Sequence, residues 1–372
     1  MFPLSVSNSL TCLGGKCRKE KKESFITYFK EKHVRNVPKK RILAWTGFFS
    51  DTTWEDMHDN HFQTCKVKSC TFTNDRKYFD ESDAILFHSG ALSNVMSSLD
   101  LPSYRHFFQR WVIHNIEPPP RTLLGYEQLA GVFNWTAWYR LDSDIPVKYG
   151  GLVELNDNNA PKSVNISKNY GLTNTRMAAW MSSNCHDYVR RQLFIREMKG
   201  HLGTDMDLYG ACGTKQCPET ICRDFLENYK FFFTIENSNC KDYITEKFWE
   251  ALRRRQVPIV TGSKGYEKVA PSHSYINADD FQSSKSLSDY LLYLAKNEAK
   301  YNEYLSWTNK YDIYGEIAGR RKFWCDLCEA LHDTDRPSQV YRDLNGWVQD
   351  DMPDCPQFTV SFIFSEFLNV IT

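Results

Sequence analysis

One stretch of this chain, Phe231 to Gly262 (FFFTIENSNCKDYITEKFWEALRRRQVPIVTG), leaves few folds open. Phe231 to Ile235 is an apolar, aromatic run of strand length, followed by a polar loop, Glu236 to Asp242. Ile244, Phe248, Ala251 and Leu252 then recur at helical spacing, with Asp242 or Thr245 as N-cap and Arg253, Arg254 and Arg255 complementing the dipole at the far end. Val257 to Val260 is a second buried strand. Strand, helix and strand in sequence make a right-handed βαβ unit. Its ligands gather at the carboxyl end of the first strand, where the helix N-terminus points. The residues there include Asn237, Tyr243, Glu246 and Lys247. A carboxylate able to accept from a ribose diol, beside an ammonium and a helix N-terminus, suits a nucleotide. The competing reading is a solvated Glu-Lys pair worth a few tenths of a kcal/mol. A polar loop longer than a connection needs weighs toward the ligand.

ENSNCKDYITEKFW, followed by VPIVTG and by Tyr275 to Phe281 (YINADDF), resembles the signature of the α1,3-fucosyltransferase family, inverting enzymes that use GDP-fucose. The resemblance runs from about Arg41 to Cys355 and is strongest between Tyr229 and Trp307. It implies that Asn237, Tyr243, Glu246 and Lys247 hold GDP-fucose. It also implies a GT-B type α/β fold, two Rossmann-like domains facing across a cleft.

At 372 residues, two domains are the natural expectation. The 46 basic and 46 acidic residues cancel, which gives no support to a nucleic-acid partner, so phosphate chemistry has to be local. Twelve cysteines and two sequons, Asn134-Trp-Thr136 and Asn165-Ile-Ser167, favour the secretory pathway, with Asn134 and Asn165 as glycosylation candidates. Zinc competes for the cysteines, but no second close pair or His pair accompanies Cys325 and Cys328, so disulfides are preferred. The resemblance implies local pairs, Cys65 with Cys70 and Cys325 with Cys328. Relatives are anchored in the Golgi membrane by an N-terminal helix. Here residues 1–37 are polar and basic and hold no apolar run of spanning length, which suggests a trimmed ectodomain, an alternative amino terminus or an incomplete gene model. The apolar tail, residues 356–372, is short and does not resemble the family's ending.

The first domain is expected over residues 38–160. Arg41 to Phe49 and Ala84 to His88 read as strands, Tyr104 to Arg110 as a helix, and Trp111 to Ile116 as a third strand ending in Glu117. Pro118, Pro119 and Pro120 fix φ and lack amide donors, predicting a stiff extended exit that holds the Glu117 carboxylate in place. Such rigidity suits a general base, although a strand can also simply end in a surface Glu. By resemblance, Glu117 takes the position of the family's Glu-Ser-Pro base, here Glu-Pro-Pro. Asp142-Ser143-Asp144 has the DxD form by which other glycosyltransferases bind Mn²⁺ and a nucleotide diphosphate, or of an ordinary turn. The resemblance assigns it to a metal-free segment of the acceptor domain. His58 and His61 read as a surface turn.

Polar residues 148–168 read as the linker, and the second domain is expected over residues 161–355. Met177 to Met181 predicts a strand, Tyr188 to Leu202 a helix, Asp207 to Gly210 another strand edge, and Ser286 to Trp307 a long packing helix. No GxGxxG is present, so side chains and a helix end have to hold phosphate. Relatives carry a Ser/Gly-rich stretch with a phosphate-binding Arg after Ser-Asn-Cys. Here only His186 and Asp187 separate Cys185 from Tyr188, leaving Arg190 or Arg191 as the phosphate contact.

The resulting expectation is transfer of L-fucose from GDP-fucose to a hydroxyl of a GlcNAc-containing glycan. Metal is dispensable in that reading, with stimulation by Mn²⁺ left open. Two alternatives compete: a DxD metal-dependent glycosyltransferase, and a weak or inactive glycan-binding form.

Overall fold

The computed structural model describes residues 39–49, 54, 59–92, 100–121, 125–156, 169–185, 189–217, 226–262, 265–350 and 355. The amino-terminal segment 1–37, the tail 356–372, His58, the Asn165 sequon and residues 186–188 lie outside the described residues.

The first sheet contains β1 (Lys40–Ala44), β2 (Cys70–Thr73), β3 (Ala84–His88), β4 (Arg110–His114) and β5 (Trp135–Ala137), all parallel, in the order β2-β1-β3-β4-β5. β6 (Gly151–Glu154) leaves this unit. The second sheet contains β7 (Arg176–Met181), β8 (Met206–Tyr209), β9 (Tyr229–Phe233), β10 (Val257–Val260) and β11 (Ile276–Asn277). Its order is β11-β10-β9-β7-β8, again all parallel. β12 (Tyr311–Tyr314) runs back beside β6 as an antiparallel pair, so two strands cross between the units side by side. Parallel strands are covered on both faces and therefore read as continuous apolar runs. That is why Ala84–His88 and Phe231–Phe233, buried at every residue, were visible as strands.

Seven helices carry labels: α1 (Arg191–Leu202), α2 (Glu246–Arg253), α3 (Tyr266–Val269), α4 (Ser284–Lys296), α5 (Glu298–Glu303), α6 (Glu316–His332) and α7 (Leu344–Gln349). Thr245, not Asp242, takes the N-cap position of α2. The long helix expected from Ser286 to Trp307 is broken at Asn297, whose backbone leaves the helical region and whose side-chain Oδ1 accepts from Lys300 N and starts α5. The helix expected over Tyr104 to Arg110 does not form. There the Gln109 side chain takes His106 N and Phe79 O, and Arg105 reaches Val132 O, so side chains compete with helical backbone bonds.

Residues 316–349 depart furthest from the sequence expectation, which placed them in the second domain. Phe323, Trp324, Leu327 and Cys328 of α6 bury against Ile42, Ala44, Leu86 and Val112 of the first sheet. Leu344, Trp347 and Val348 of α7 join Tyr126, Leu129 and Trp138. The chain thus returns to its first unit, and the disulfides follow it. Cys65 pairs with Cys325 and Cys70 with Cys328, at Cα separations of 5.3 and 6.0 Å, in place of the local pairs Cys65–Cys70 and Cys325–Cys328. The physical reason is that Cys325 and Cys328 stand on the face of α6 that packs against the first unit, where Cys65 and Cys70 wait. Cys185 pairs with Cys212 and Cys240 with Cys355.

Asn134 is also corrected as a glycosylation site. It is buried, its Oδ1 accepts from Trp111 N (2.8 Å) and Arg105 Nη1 (3.1 Å), and its Nδ2 donates to Gln339 O (2.8 Å). The nitrogen that a glycan would need is inside the fold.

Cys65–Cys325 and Cys70–Cys328 close nearly the same loop, 260 and 258 residues in separation. In the chain-entropy view the first such bridge contributes on the order of 5 kcal/mol and the second far less. Replacing either pair by serine should therefore shift the denaturant midpoint slightly, and replacing both should shift it by several times the sum. Additive shifts in equilibrium unfolding would contradict this account.

Candidate active site

In the second sheet β7 leads outward to β8 and β9 leads the other way to β10 and β11, so the order reverses between β7 and β9. Ligands of open α/β sheets bind outside the carboxyl ends of the strands at such a reversal. The N-termini of α1 and α2 follow β7 and β9 directly, and both open onto that edge.

The loop after β9 is built around Glu236, which is 1% exposed. Its Oε1 accepts from Thr245 N and Thr245 Oγ1, each at 2.8 Å, and its Oε2 accepts from Lys247 Nζ at 3.1 Å. Lys247 Nζ also donates to Glu246 Oε1 (3.1 Å) and Thr245 Oγ1 (2.8 Å). Burial opposes the charge of Lys247, yet the carboxylates of Glu236 and Glu246 outweigh it and raise its pKa. Burial likewise raises the Glu236 pKa against the pull of Lys247. Burial works upward on Glu246 as well, but Lys247 prevails and lowers it. The cluster is a fixed ammonium between two carboxylates at the first turn of α2.

Glu117 faces it from the first unit. Burial raises its pKa; Arg121 and Lys247 pull it down, and Glu246 and Glu236 push it up. Its carboxyl therefore lies within electrostatic reach of the α2 cluster. Its backbone is held on every side: Glu117 N donates to Asn115 Oδ1 (2.8 Å), Trp138 Nε1 donates to Glu117 O (2.9 Å), and Tyr149 OH donates to Ile116 O (2.8 Å). The extended proline exit is a correction. Pro119–Arg121 closes a 3₁₀ turn, with Arg121 N bonded to Pro118 O. Rigidity at Glu117 comes from these three contacts and the turn together.

Tyr243 is buried, its ring edge-on to Tyr139 at 5.0 Å and near Tyr149 at 6.3 Å, so it forms the wall where the units meet. Asn237 is half-buried, and its Oδ1 has no hydrogen-bond partner among the described residues. The same holds for Ser238 Oγ, Asn239 Oδ1, Thr261 Oγ1 and Ser274 Oγ. Buried polar atoms are nearly always paired in native proteins. A concentration of unpaired ones in the loops after β9 and β10 marks a surface shaped for a polar ligand.

The two arginines separate. Arg190 is exposed at the N-cap of α1 in a left-handed conformation (φ 56°). Arg191 is 2% exposed, and its Nη2 donates to Asn184 O (2.6 Å) and Ser182 Oγ (3.1 Å) while Nη1 reaches Ile235 O (3.4 Å). Arg191 therefore ties the exits of β7 and β9 together, which corrects its assignment as a phosphate contact. The DxD carboxylates are committed elsewhere and do not fit a Mn²⁺ site. Asp142 accepts from Arg140 Nε (2.9 Å) and Nη2 (3.0 Å), and Asp144 accepts from Thr136 N (2.9 Å), Tyr341 OH (2.7 Å) and Gln339 Nε2 (2.6 Å).

Glu236 and Tyr149 are the residues that the sequence reading missed. Glu236 opened the polar loop in plain view, but its partners lie nine and eleven residues away across a turn. Tyr149 stands in the linker, and its partner lies 33 residues away.

A family model described as "Fucosyltransferase, N-terminal" matches residues 37–150, and one described as "Glycosyltransferase family 10 (fucosyltransferase) C-term" matches residues 172–347. The chain is 35% identical over 319 residues to "Alpha-(1,3)-fucosyltransferase 7" of Bos taurus, covering 84% of this chain and 87% of that one. It is 29% identical over 352 residues to "Alpha-(1,3)-fucosyltransferase C" of Drosophila melanogaster, covering 86% and 80%. Among solved structures, "Crystal Structure of alpha1,3-Fucosyltransferase with GDP-fucose" superposes with a TM-score of 0.52 at 15% identity, covering 86% of this chain and 96% of that one. The last likeness is one of fold, the GT-B arrangement.

Glu236→Ala strips Thr245 N and Lys247 of their shared acceptor while leaving Glu246 in place. Stability should fall by about 2 kcal/mol or more, the cost of buried donors left unpaired. Equilibrium denaturation measures it, and an unchanged midpoint would remove Glu236 from this role.

Proposed function

Because the chain belongs to glycosyltransferase family 10, the fucosyltransferases, it is a glycosyltransferase, and we propose that it moves L-fucose from GDP-fucose to a hydroxyl of a GlcNAc-containing glycan with inversion. The observation that carries this reading is the pairing across the cleft. A carboxyl with a raised pKa, Glu117, stands opposite a fixed cation at a helix N-terminus, Lys247.

The chemistry follows from that geometry. Glu117 takes the proton of the acceptor hydroxyl as its oxygen bonds to the anomeric carbon. On the opposite face the bond from that carbon to phosphate oxygen breaks, and GDP leaves with the electron pair. An inverting displacement needs base and leaving group on opposite sides of the sugar, which two facing units supply. Charge grows on the diphosphate in the transition state, where Lys247, the first turn of α2 and Arg190 are worth most. Glu246 accepts from the ribose diol, and Asn237 and Tyr243 complete the donor half-site. The DxD carboxylates take no part, being bound to Arg140, Thr136, Tyr341 and Gln339. The reading includes the Golgi lumen as the compartment of the reaction, supported by likeness to a family that works there. No helix among the described residues is long and apolar enough to cross a membrane.

Glu117 acts as carboxylate, so activity falls as pH drops through its pKa. Because burial raises that pKa, the acid limb of kcat/KM should lie above the ordinary Glu value of about 4.3. Lys247 favours the carboxylate, so Lys247→Met should move the limb to higher pH as well as weaken GDP-fucose binding. Glu117→Gln should cut transfer by about 10²-fold or more with GDP affinity nearly intact. A limb that ignores Lys247→Met, or an active Glu117→Gln enzyme, would overturn the base assignment.

A further inference from the structure

Beside the crossing strands lies a cavity of about 340 Å³ that the transfer chemistry does not use. Gly151 and Leu152 of β6 and Tyr314 of β12 line it, with Trp249 of α2 and Tyr149. Glu117, Glu236, Glu246 and Lys247 are not among its lining residues. Tyr139 and Tyr149 of the tyrosine wall line it as well, so the wall is its boundary.

The polar groups at this cavity form an uneven set. Lys322 is paired with Asp326 at 2.7 Å, and Lys268 lies 3.7 Å from Asp242 Oδ1. Lys148 has no ion-pair or hydrogen-bond partner among the described residues. Asp242 is buried, and its Oδ1 accepts no hydrogen bond, while its Oδ2 accepts from Leu141 N (3.3 Å) across the seam between the units. Its backbone is held at a φ of 62°, a left-handed conformation that a non-glycine residue adopts at a cost. A buried carboxylate oxygen that accepts no hydrogen bond, with its ion-pair partner Lys268 at 3.7 Å, has room for an O–H or N–H donor. The ammonium of Lys148, partly exposed and without an ion-pair partner among the described residues, is open to an anion. Between them Trp249 and Tyr314 offer the apolar faces on which a sugar's C–H surface packs. Small-ligand sites combine mostly apolar walls with a few convergent polar groups at volumes from about 300 Å³ upward.

We propose that this cavity beside β6 and β12 is a second binding site, for a monosaccharide-sized ligand carrying hydroxyls and one anionic group, an acid sugar in chemical class. Its hydroxyls bond Asp242 and its anion draws Lys148 and Lys268. Asp242 precedes Tyr243 and the α2 N-terminus, while Tyr149 holds the backbone beside Glu117, so an occupant touches the supports of both half-sites. Binding at the cavity does not depend on the transferase reading; only its coupling to turnover does.

The test is calorimetry on the full chain with glucuronate as probe, in saturating GDP so that the donor half-site is filled. Glucose supplies hydroxyls without charge, and sulfate supplies charge without hydroxyls. Glucuronate should bind once per chain with GDP present, and more tightly than either control. Lys148→Ala and Asp242→Asn should each weaken it by about tenfold, the loss of one charge-assisted contact, and Lys148→Ala should keep the wild-type GDP affinity. Lys268→Ala, at a half-exposed side chain, repeats the test without risk to folding. No saturable binding, displacement by GDP, or unchanged affinity in Lys148→Ala and Lys268→Ala would overturn the site. Sulfate binding as tightly as glucuronate would overturn the sugar assignment. Failure of GDP to bind while glucuronate still titrates would sink the transferase reading and leave this one standing.

Discussion

The ammonium of Lys247, only partly open to solvent, is the charge around which this molecule is arranged. Removing an ammonium from water costs several kcal/mol unless anions repay it. Glu236, with no side-chain exposure, and Glu246, partly exposed, do so together. Glu236 also takes Thr245 N and Oγ1, so one buried carboxylate both caps α2 and aims the lysine. The helix N-terminus and the cation then lie together at the reversal between β7 and β9. Glu117, in the other unit, titrates in the field of that same lysine. In the proposed reaction, donor binding and base strength are therefore coupled through one side chain.

Such coupling across a cleft requires the two units to keep their spacing. Three features hold it: the paired crossing strands β6 and β12, the wall of Tyr139, Tyr149 and Tyr243, and the return of α6 and α7 to the first unit. The bridges Cys65–Cys325 and Cys70–Cys328 fasten that return. Cys240–Cys355 ties the loop after β9 to the end of the returning segment. The disulfides thus act on domain geometry, a role that local pairs could not perform.

The βαβ unit from Phe231 to Gly262, its polar loop and the position of Glu246 and Lys247 at the helix N-terminus were legible in the chain alone. Local periodicity and burial decide such units, and parallel strands covered on both faces announce themselves as apolar runs. The second halves of the site were not legible in the same way. Arg191 looked like a phosphate ligand because charge is visible in sequence, whereas its burial against Asn184 O and Ile235 O is not. Asp142 and Asp144 read equally well as a metal pair or a turn until Arg140, Thr136, Tyr341 and Gln339 were seen to hold them. The Asn134 sequon was a surface pattern on a buried residue.

By itself the sequence determined the family, the two parallel α/β sheets, the strand-helix-strand unit on which the proposed donor half-site stands and the identity of the base candidate. Each of these rests on contacts within about thirty residues or on a pattern of residue types. Tertiary structure alone decided the partners of the cysteines, the return of α6 and α7, the burial of Glu236 beneath Lys247 and the cavity beside β6 and β12. Those depend on residues far apart in the chain meeting at one place, and no local propensity encodes which distant face a side chain will find.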